Sequence, residues 1–320
     1  MRIKNIGFIA TGLAILVIAV FLILQTDKQA PTKISYYHWR NSYNIDDTLL
    51  DQTKPYQLYV KFLDIGYSNK LEVISTRFIK PPRSNTVPVV YIDNRVLKNE
   101  GVDPLLTLIK KKINPRQYSS LQIDCDWTLN TRKKYFTLLR DLGKSYPNLS
   151  ATIRLHQIKY FQKTGVPPVK TGVLMYYNMS DIQDTNTKNY ILDLDIAKRY
   201  HVNFDHYPLP LDLALPLYHQ IRVIRQNKVV TILTGKQLNH TYLEKISANK
   251  YKVKQAHYVQ SNYLYKDDLL IVDQVSEKDL QTAAHTLKAL IKPHEIIFYE
   301  INNAKDFGYE YVENIRRIFD

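Results

Sequence analysis

The sequence predicts an α/β fold, an irregular TIM-type (β/α)8 barrel preceded by one transmembrane helix. Three observations predict it. Eight short runs rich in β-branched and aromatic residues recur at about 34–40, 57–64, 87–93, 120–126, 150–156, 171–177, 211–217 and 295–301. Helical patterns lie between several of them, and eight strands alternating with helices close such a barrel. An uncharged, almost wholly apolar run from Ile6 to Leu24 stands in front of the whole pattern. A doubly wound open sheet is the alternative arrangement of the same elements.

The N-terminal run is just long enough to cross roughly 30 Å of hydrocarbon as a helix. Arg2 and Lys4 precede it, which favours a cytoplasmic N-terminus. The polar Gln25-Thr26-Asp27-Lys28 follows, where a cleaved signal peptide would show small residues. The organisation expected is a cytoplasmic segment 1–5, a transmembrane anchor 6–24, a tether 25–33 and a barrel domain 34–320. The chain then reads as a single-pass protein of the cytoplasmic (inner) membrane, its globular domain in the periplasm or outside.

Among the helices, Asp103 and Pro104 look like a cap and first helical residue. A second helix runs from Thr131 to about Leu142, with Gly143 placed to end it. Others are expected at Asn189–Tyr200, Ser276–Ile291 and Tyr309–Phe319, with Ser276 and Asp279 spaced as a capping box. Between the first three strands the connectors are short and poorly helical. An insertion at about 219–293 contains a β-hairpin pattern, with Gln226-Asn227 between two β-branched runs, and reads as a decoration of the seventh unit.

Composition narrows the function. The 9 glycines form neither a dinucleotide-binding fingerprint nor a P-loop, so no cofactor is expected. The single cysteine, Cys125, excludes an intrachain disulfide. The net charge of +14 favours anionic neighbours, but the basic residues are dispersed and nucleic acid is not expected as a partner. No close-spaced ligand motif such as H-E-x-x-H occurs, so no metal is expected, and no G-x-S-x-G elbow marks a serine hydrolase.

Candidate site residues come from strand parity. In a barrel wrapped by helices the outer face is dry, so polar residues on one parity point to the lumen or its mouth. That selects Gln122, Asp124 and Asp126 on the fourth strand, and Thr152, Arg154 and His156 on the fifth. It also selects Tyr91 and Asp93 on the third, Glu300 and Asn302 on the eighth, and His38 and Arg40 on the first. Active sites of such barrels lie at the C-terminal ends of the strands. Asp124 and Asp126, roughly 6.6 Å apart along a strand rising about 3.3 Å per residue, can divide acid and base work in glycoside hydrolysis. Glu300 or Asp93 is an alternative partner for Asp126. Trp39 and Trp127 flank these strand ends and, with Tyr176 and Tyr177, offer faces for sugar rings. The competing reading is an interior ion-pair network around Asp124 and Arg154. Cys125, on the outward parity, reads as a buried apolar residue.

The segment Gln122–Thr128 (QIDCDWT), together with Val87–Val90, Leu58–Phe62 and Leu213–Pro216, resembles a poorly characterised bacterial family of envelope-exported domains. The resemblance covers roughly residue 34 to the C-terminus, and implies a TIM barrel related to glycoside hydrolases without implying an activity. The fourth strand also resembles the chitinase pattern Asp-x-Asp-x-Glu, with Thr128 where the acidic Glu stands. The function expected is a membrane-anchored barrel that binds an envelope or extracellular glycan. Hydrolysis by Asp126 with Asp124 or Glu300 is its catalytic form. The alternative is a non-catalytic barrel acting as scaffold or glycan-binding component of an envelope assembly.

Overall fold

A computed structural model describes residues 30–320. The expected anchor at 6–24 lies outside the described residues, among which no helix is long and apolar enough to cross a membrane. Eight parallel strands close on themselves: β1 (Lys33–His38), β2 (Leu58–Tyr67), β3 (Thr86–Ile92), β4 (Ser120–Asp124), β5 (Asn148–Ile153), β6 (Thr171–Met175), β7 (Leu211–Pro216) and β8 (Glu295–Tyr299). Closure is made by β1, which pairs with β8 from Lys33↔Glu295 and with β2 from Tyr36↔Leu58. The fold is thus the expected eight-stranded barrel and not the open sheet.

Each strand starts within two residues of its expected position because the apolar runs that define it are buried on both faces, against the lumen and against the helices. Close packing between neighbouring strands fixes Gly172 on β6, where a Cβ would lie 2.8 Å from Ile153 and 2.9 Å from Leu211. On β2 a register shift between Lys61 and Leu63 changes the alternation. Tyr59, Lys61 and Asp64 therefore all face the lumen side, each meeting groups contributed by β1 or β8.

The helices follow the sequence less evenly. Arg132–Gly143, Glu277–Lys288 and Tyr309–Phe319 form as expected, and Ser276 Oγ accepts the Asp279 N–H at 3.1 Å. Val102–Lys112 starts before Asp103, with Gly101 in the cap position. Gly143 is the last helical residue and Lys144 the cap. The helix expected over 189–200 shrinks to Leu194–Lys198. Asp193 caps it by accepting the N–H groups of Asp195 and Ile196, while Tyr190 N–H is drawn away to Asp273 at 3.0 Å. The connector from β1 to β2 holds one short helix, Asp47–Thr53, and that from β2 to β3 holds only strands.

The long excursion between β7 and β8 contains the hairpin Gln220–Arg225/Lys228–Thr234, turning through Gln226 and Asn227 at φ 50° and 60°. Two positive-φ residues in a two-residue turn match the twist of the strands they join. Three more strands complete a five-stranded sheet with its own apolar cluster, including Ile221, Val223, Leu233, Val253 and Leu270. Arg222 holds this sheet to the loop after β6. Fully buried, it donates to both oxygens of Asp273 (2.7 and 3.0 Å) and to the carbonyls of Asp184 (2.7 Å) and Thr187 (3.3 Å).

Candidate functional site

At the C-terminal ends of the strands lies a cavity of about 180 Å³. Its floor is set by Tyr37, whose hydroxyl donates to Gln122 Oε1 at 2.7 Å across the lumen. Above this, Asp124 at the end of β4 is buried and accepts the Thr152 hydroxyl of β5 at 2.6 Å. Burial, reinforced by the neighbouring Asp126 charge, pushes its carboxyl up to about 6, against the opposing Thr152 hydrogen bond and Arg154 charge. Arg154, the next residue after β5, projects over the cavity and grips Asp126 as a fork, Nε to Oδ1 at 2.8 Å and the second nitrogen to Oδ2 at 3.1 Å. Burial works against the guanidinium charge, but Asp126 outweighs it and holds Arg154 protonated.

The walls are aromatic. Tyr299 at the end of β8 has its ring centroid 5.5 Å from Tyr177, 6.1 Å from Trp39 and 6.1 Å from Tyr37. Tyr91, Asp64, Met175 and Asn178 complete the lining, and Lys61 Nζ sits 5.6 Å over the Trp39 ring beside Asp64 at 3.4 Å. Such a pocket offers flat apolar faces, one carboxyl pushed up to about 6, and a guanidinium fixed by an ion pair at the rim.

Of the residues selected from the sequence, the structure brings together Trp39, Tyr91, Asp124, Thr152, Arg154 and Tyr177 in the cavity, with Asp126 at its rim on Arg154. The remaining candidates sit elsewhere. Strand alternation does not hold past the strand ends, where the chain has left the ladder. On β1 and β8 the lumen takes Tyr37, Trp39 and Tyr299, so His38, Glu300 and Asn302 gather on the other side. There Glu300 Oε2 accepts the Trp39 backbone N–H at 2.7 Å, Oε1 accepts the Asn302 N–H at 3.2 Å, and His38 Nδ1 lies 3.6 Å away. Burial opposes the Glu300 charge, but His38 and these N–H groups prevail and hold the carboxyl below its ordinary range. Glu300 is a cap for the 3₁₀ turn Ile301–Asn303, not a partner of Asp126. Asp93 likewise caps the helix Asn94–Asn99 and binds Arg95 through both oxygens.

Trp127 is buried outside the barrel, stacked 5.1 Å from Tyr135, its indole N–H donating to the Thr164 carbonyl at 3.3 Å. Tyr176 turns outward to His201 at 3.0 Å, and its neighbour Tyr177 takes the pocket. Arg40 and His156 are exposed. Thr128 is tied into a local cap, its N–H donating to Thr131 Oγ1 at 3.0 Å. Cys125 is 1% exposed on the outward face, where burial pushes its thiol pKa up. Tyr37, Asp64, Asn178 and Tyr299 were not selected. The legible signal for Tyr37 and Tyr299 is their aromatic pairing with Trp39 and Tyr177, masked in the sequence by polar neighbours on the opposite parity.

At the other end of the barrel a wider cleft of about 580 Å³ opens between Lys170, Lys292 and His294. Glu295 lies buried at its floor. Its backbone N–H donates to Asp212 at 2.9 Å and its Oε2 accepts the Tyr59 hydroxyl at 3.1 Å, leaving Oε1 without a hydrogen-bond partner. Burial, aided by Asp212, pushes the Glu295 carboxyl up to about 8, and burial pushes Asp212 up to about 6. Among the described residues no group of three His, Cys, Asp or Glu is arranged to hold a metal ion.

No protein-family model matches the sequence, and no curated protein does. Solved structures do match in shape. A chitinase from Chromobacterium violaceum aligns with 89% of this chain and 99% of its own at 11% identity and a TM-score of 0.56. The spore cortex-lytic enzyme SleL of Bacillus cereus aligns over 91% of this chain and 75% of its own at 12% identity and 0.52. A GH18 chitinase mutant from Cycas revoluta, solved in complex with (GlcNAc)4, aligns over 90% of this chain and 100% of its own at 12% identity and 0.51. At these identities the likeness is one of fold: the chain is a TIM-type barrel of the kind on which the GH18 chitinases are built.

Proposed function

We propose that the mouth pocket binds the end of an oligosaccharide, and that N-acetylglucosamine oligomers, the ligand named for one similar barrel, are the first class to test. The observation that carries this is the pairing of an aromatic wall (Trp39, Tyr177, Tyr299) with the Asp124 carboxyl and the Arg154 guanidinium in one cavity, the guanidinium held from outside by Asp126. Aromatic faces pack the C–H faces of a sugar ring, while the carboxyl and the guanidinium bond its hydroxyls. The volume, small beside ordinary ligand pockets, suits one ring. Binding without cleavage is the reading favoured: position 128 is a threonine and Glu300 is held by His38 and two backbone N–H groups, so neither supplies an acid to the pocket. Hydrolysis is the second reading. It is favoured by Asp124, which retains a proton near pH 6 as a general acid must.

Calorimetric titration with (GlcNAc)4, alongside chromatography of the incubated sugar, separates the two. Binding with intact sugar is expected, and Trp39→Ala should weaken it by about tenfold through lost ring contact. Shortened products that vanish in Asp124→Asn or Asp126→Asn, with little change of thermal midpoint, would establish hydrolysis instead. A mouth that takes up no oligosaccharide of any length refutes both readings.

A further inference from the structure

Four helices of this chain sort their charges by pole, whereas Arg132–Gly143 opens at the mouth on Arg132, Lys133 and Lys134 with no acidic residue in its first turn. In a (β/α) barrel each helix runs back from the mouth to the base, so the helices present their N-termini at the mouth and their C-termini at the base. First helical turns carry Asp103, Asp195, Glu277, Asp279 and Glu310. Last turns carry Lys110, Lys111 and Lys112, then Lys198, Lys288 and the pair Arg316–Arg317. Each choice suits its own helix dipole. Because the helices are aligned around the ring, these local choices add up to a basic base.

The dipole does not explain the rest. Lys170 and Lys292 are exposed in the loops that enter β6 and β8, where no helix end needs them, and Lys54, also exposed, caps the C-terminus of Asp47–Thr53 in the loop that enters β2. Like Lys111, Lys112, Lys198 and Lys288, none of the three is in an ion pair among the described residues. Two apolar side chains stand exposed among these base loops, Tyr56 and Val202, each at 46%. Aromatic and aliphatic groups between lysines form the composition of a surface that meets lipid headgroups.

The start of the chain points to the same occupant. β1 begins at Lys33, at the base. Residues 25–32 alone separate it from the uncharged run Ile6–Leu24. Even fully extended, that leash spans no more than about 29 Å. An apolar run of this length on a leash this short favours the same occupant as the basic pole.

We propose that the base of the barrel is a docking face for an anionic lipid bilayer, seated by its lysines on the headgroups so that the mouth opens away from the membrane. The inference is independent of what the mouth binds.

The test uses the full chain reconstituted in nanodiscs of phosphatidylcholine alone or mixed with phosphatidylglycerol, read by amide hydrogen exchange. Peptides over 110–118, 167–171 and 289–294 should exchange more slowly on the anionic discs only. At an ionic strength of about 1 M, where screening reaches about 3 Å, the difference should vanish. Each lysine near such a surface contributes about fivefold. The triple variant Lys110→Gln, Lys111→Gln, Lys112→Gln should therefore lower the docked-to-free ratio by about a hundredfold. The same charge change at the mouth (Arg132→Gln, Lys133→Gln, Lys134→Gln) should leave that ratio unaltered. Equal exchange on the two disc types, or protection of mouth peptides in place of base peptides, would overturn the proposal. So would displacement of the protection by a short single-stranded oligonucleotide, which would reassign the face to nucleic acid.

Discussion

Buried carboxyls with raised pKa values, Asp124, Asp212 and Glu295, set the pH response. Asp124 titrates at about 6 in the folded chain against 3.8 in model compounds. Its raised value means that the unfolded chain loses this proton first as pH rises. Stability from this group is therefore full below about pH 4 and is lost up to pH 6, a change of about 3 kcal/mol at roughly 1.4 kcal/mol per unit. Asp124→Asn keeps an oxygen for the Thr152 hydroxyl and removes the titration. The variant should match the wild type in thermal midpoint at pH 4 and exceed it at pH 7. Glu295 behaves alike over the window from 4.5 to about 8, so Glu295→Gln should gain most in melts above pH 8. Falling midpoints for both variants at high pH would show that the charged forms are stabilised in the fold, contrary to their burial.

At the scale of elements, one buried ion pair decides whether the insertion stays seated. Removing a single member leaves an unpaired charge in a dry site, at a cost of about 3–5 kcal/mol. Asp273→Ala should thus lower the thermal midpoint sharply and expose residues 182–190 to protease, because Arg222 loses both carboxylate oxygens and Tyr190 N–H its acceptor. The apolar double replacement Arg222→Met, Asp273→Leu should recover much of the loss, since it leaves no charge behind. Joined to this is what the sequence could tell. The strands were legible because doubly buried runs are long and uninterrupted, and their starts fall where the ladders start. Their ends were not. The expected runs continue past the ladder at Asp126, His156 and Glu300, where backbone groups turn to caps and loops and alternation has no force. The bulge at Lys61/Leu63 breaks alternation within β2 as well, and puts Asp64 on the lumen side. The helix at 189–200 was overdrawn because its first turn is spent on long-range bonds to the insertion, which local pattern does not record.

On the scale of the whole molecule, the lumen between the two cavities is filled. Tyr37, Gln122 and Ser150 hydrogen-bond across its middle, and Tyr59 and Glu295 lie beneath. Oligosaccharide affinity at the mouth should therefore be the same, within about twofold, on neutral and anionic discs, as expected for sites that share no partners. A larger difference would mean that the barrel wall transmits strain between its poles. The same closed construction gives the chain a built-in clock. Its one thiol sits behind β4, out of reach of any reagent while the cylinder is shut. The rate at which Cys125 reacts with a maleimide in native buffer therefore counts how often the staves part, and stabilising ligands of either pole should slow that count in proportion to their occupancy.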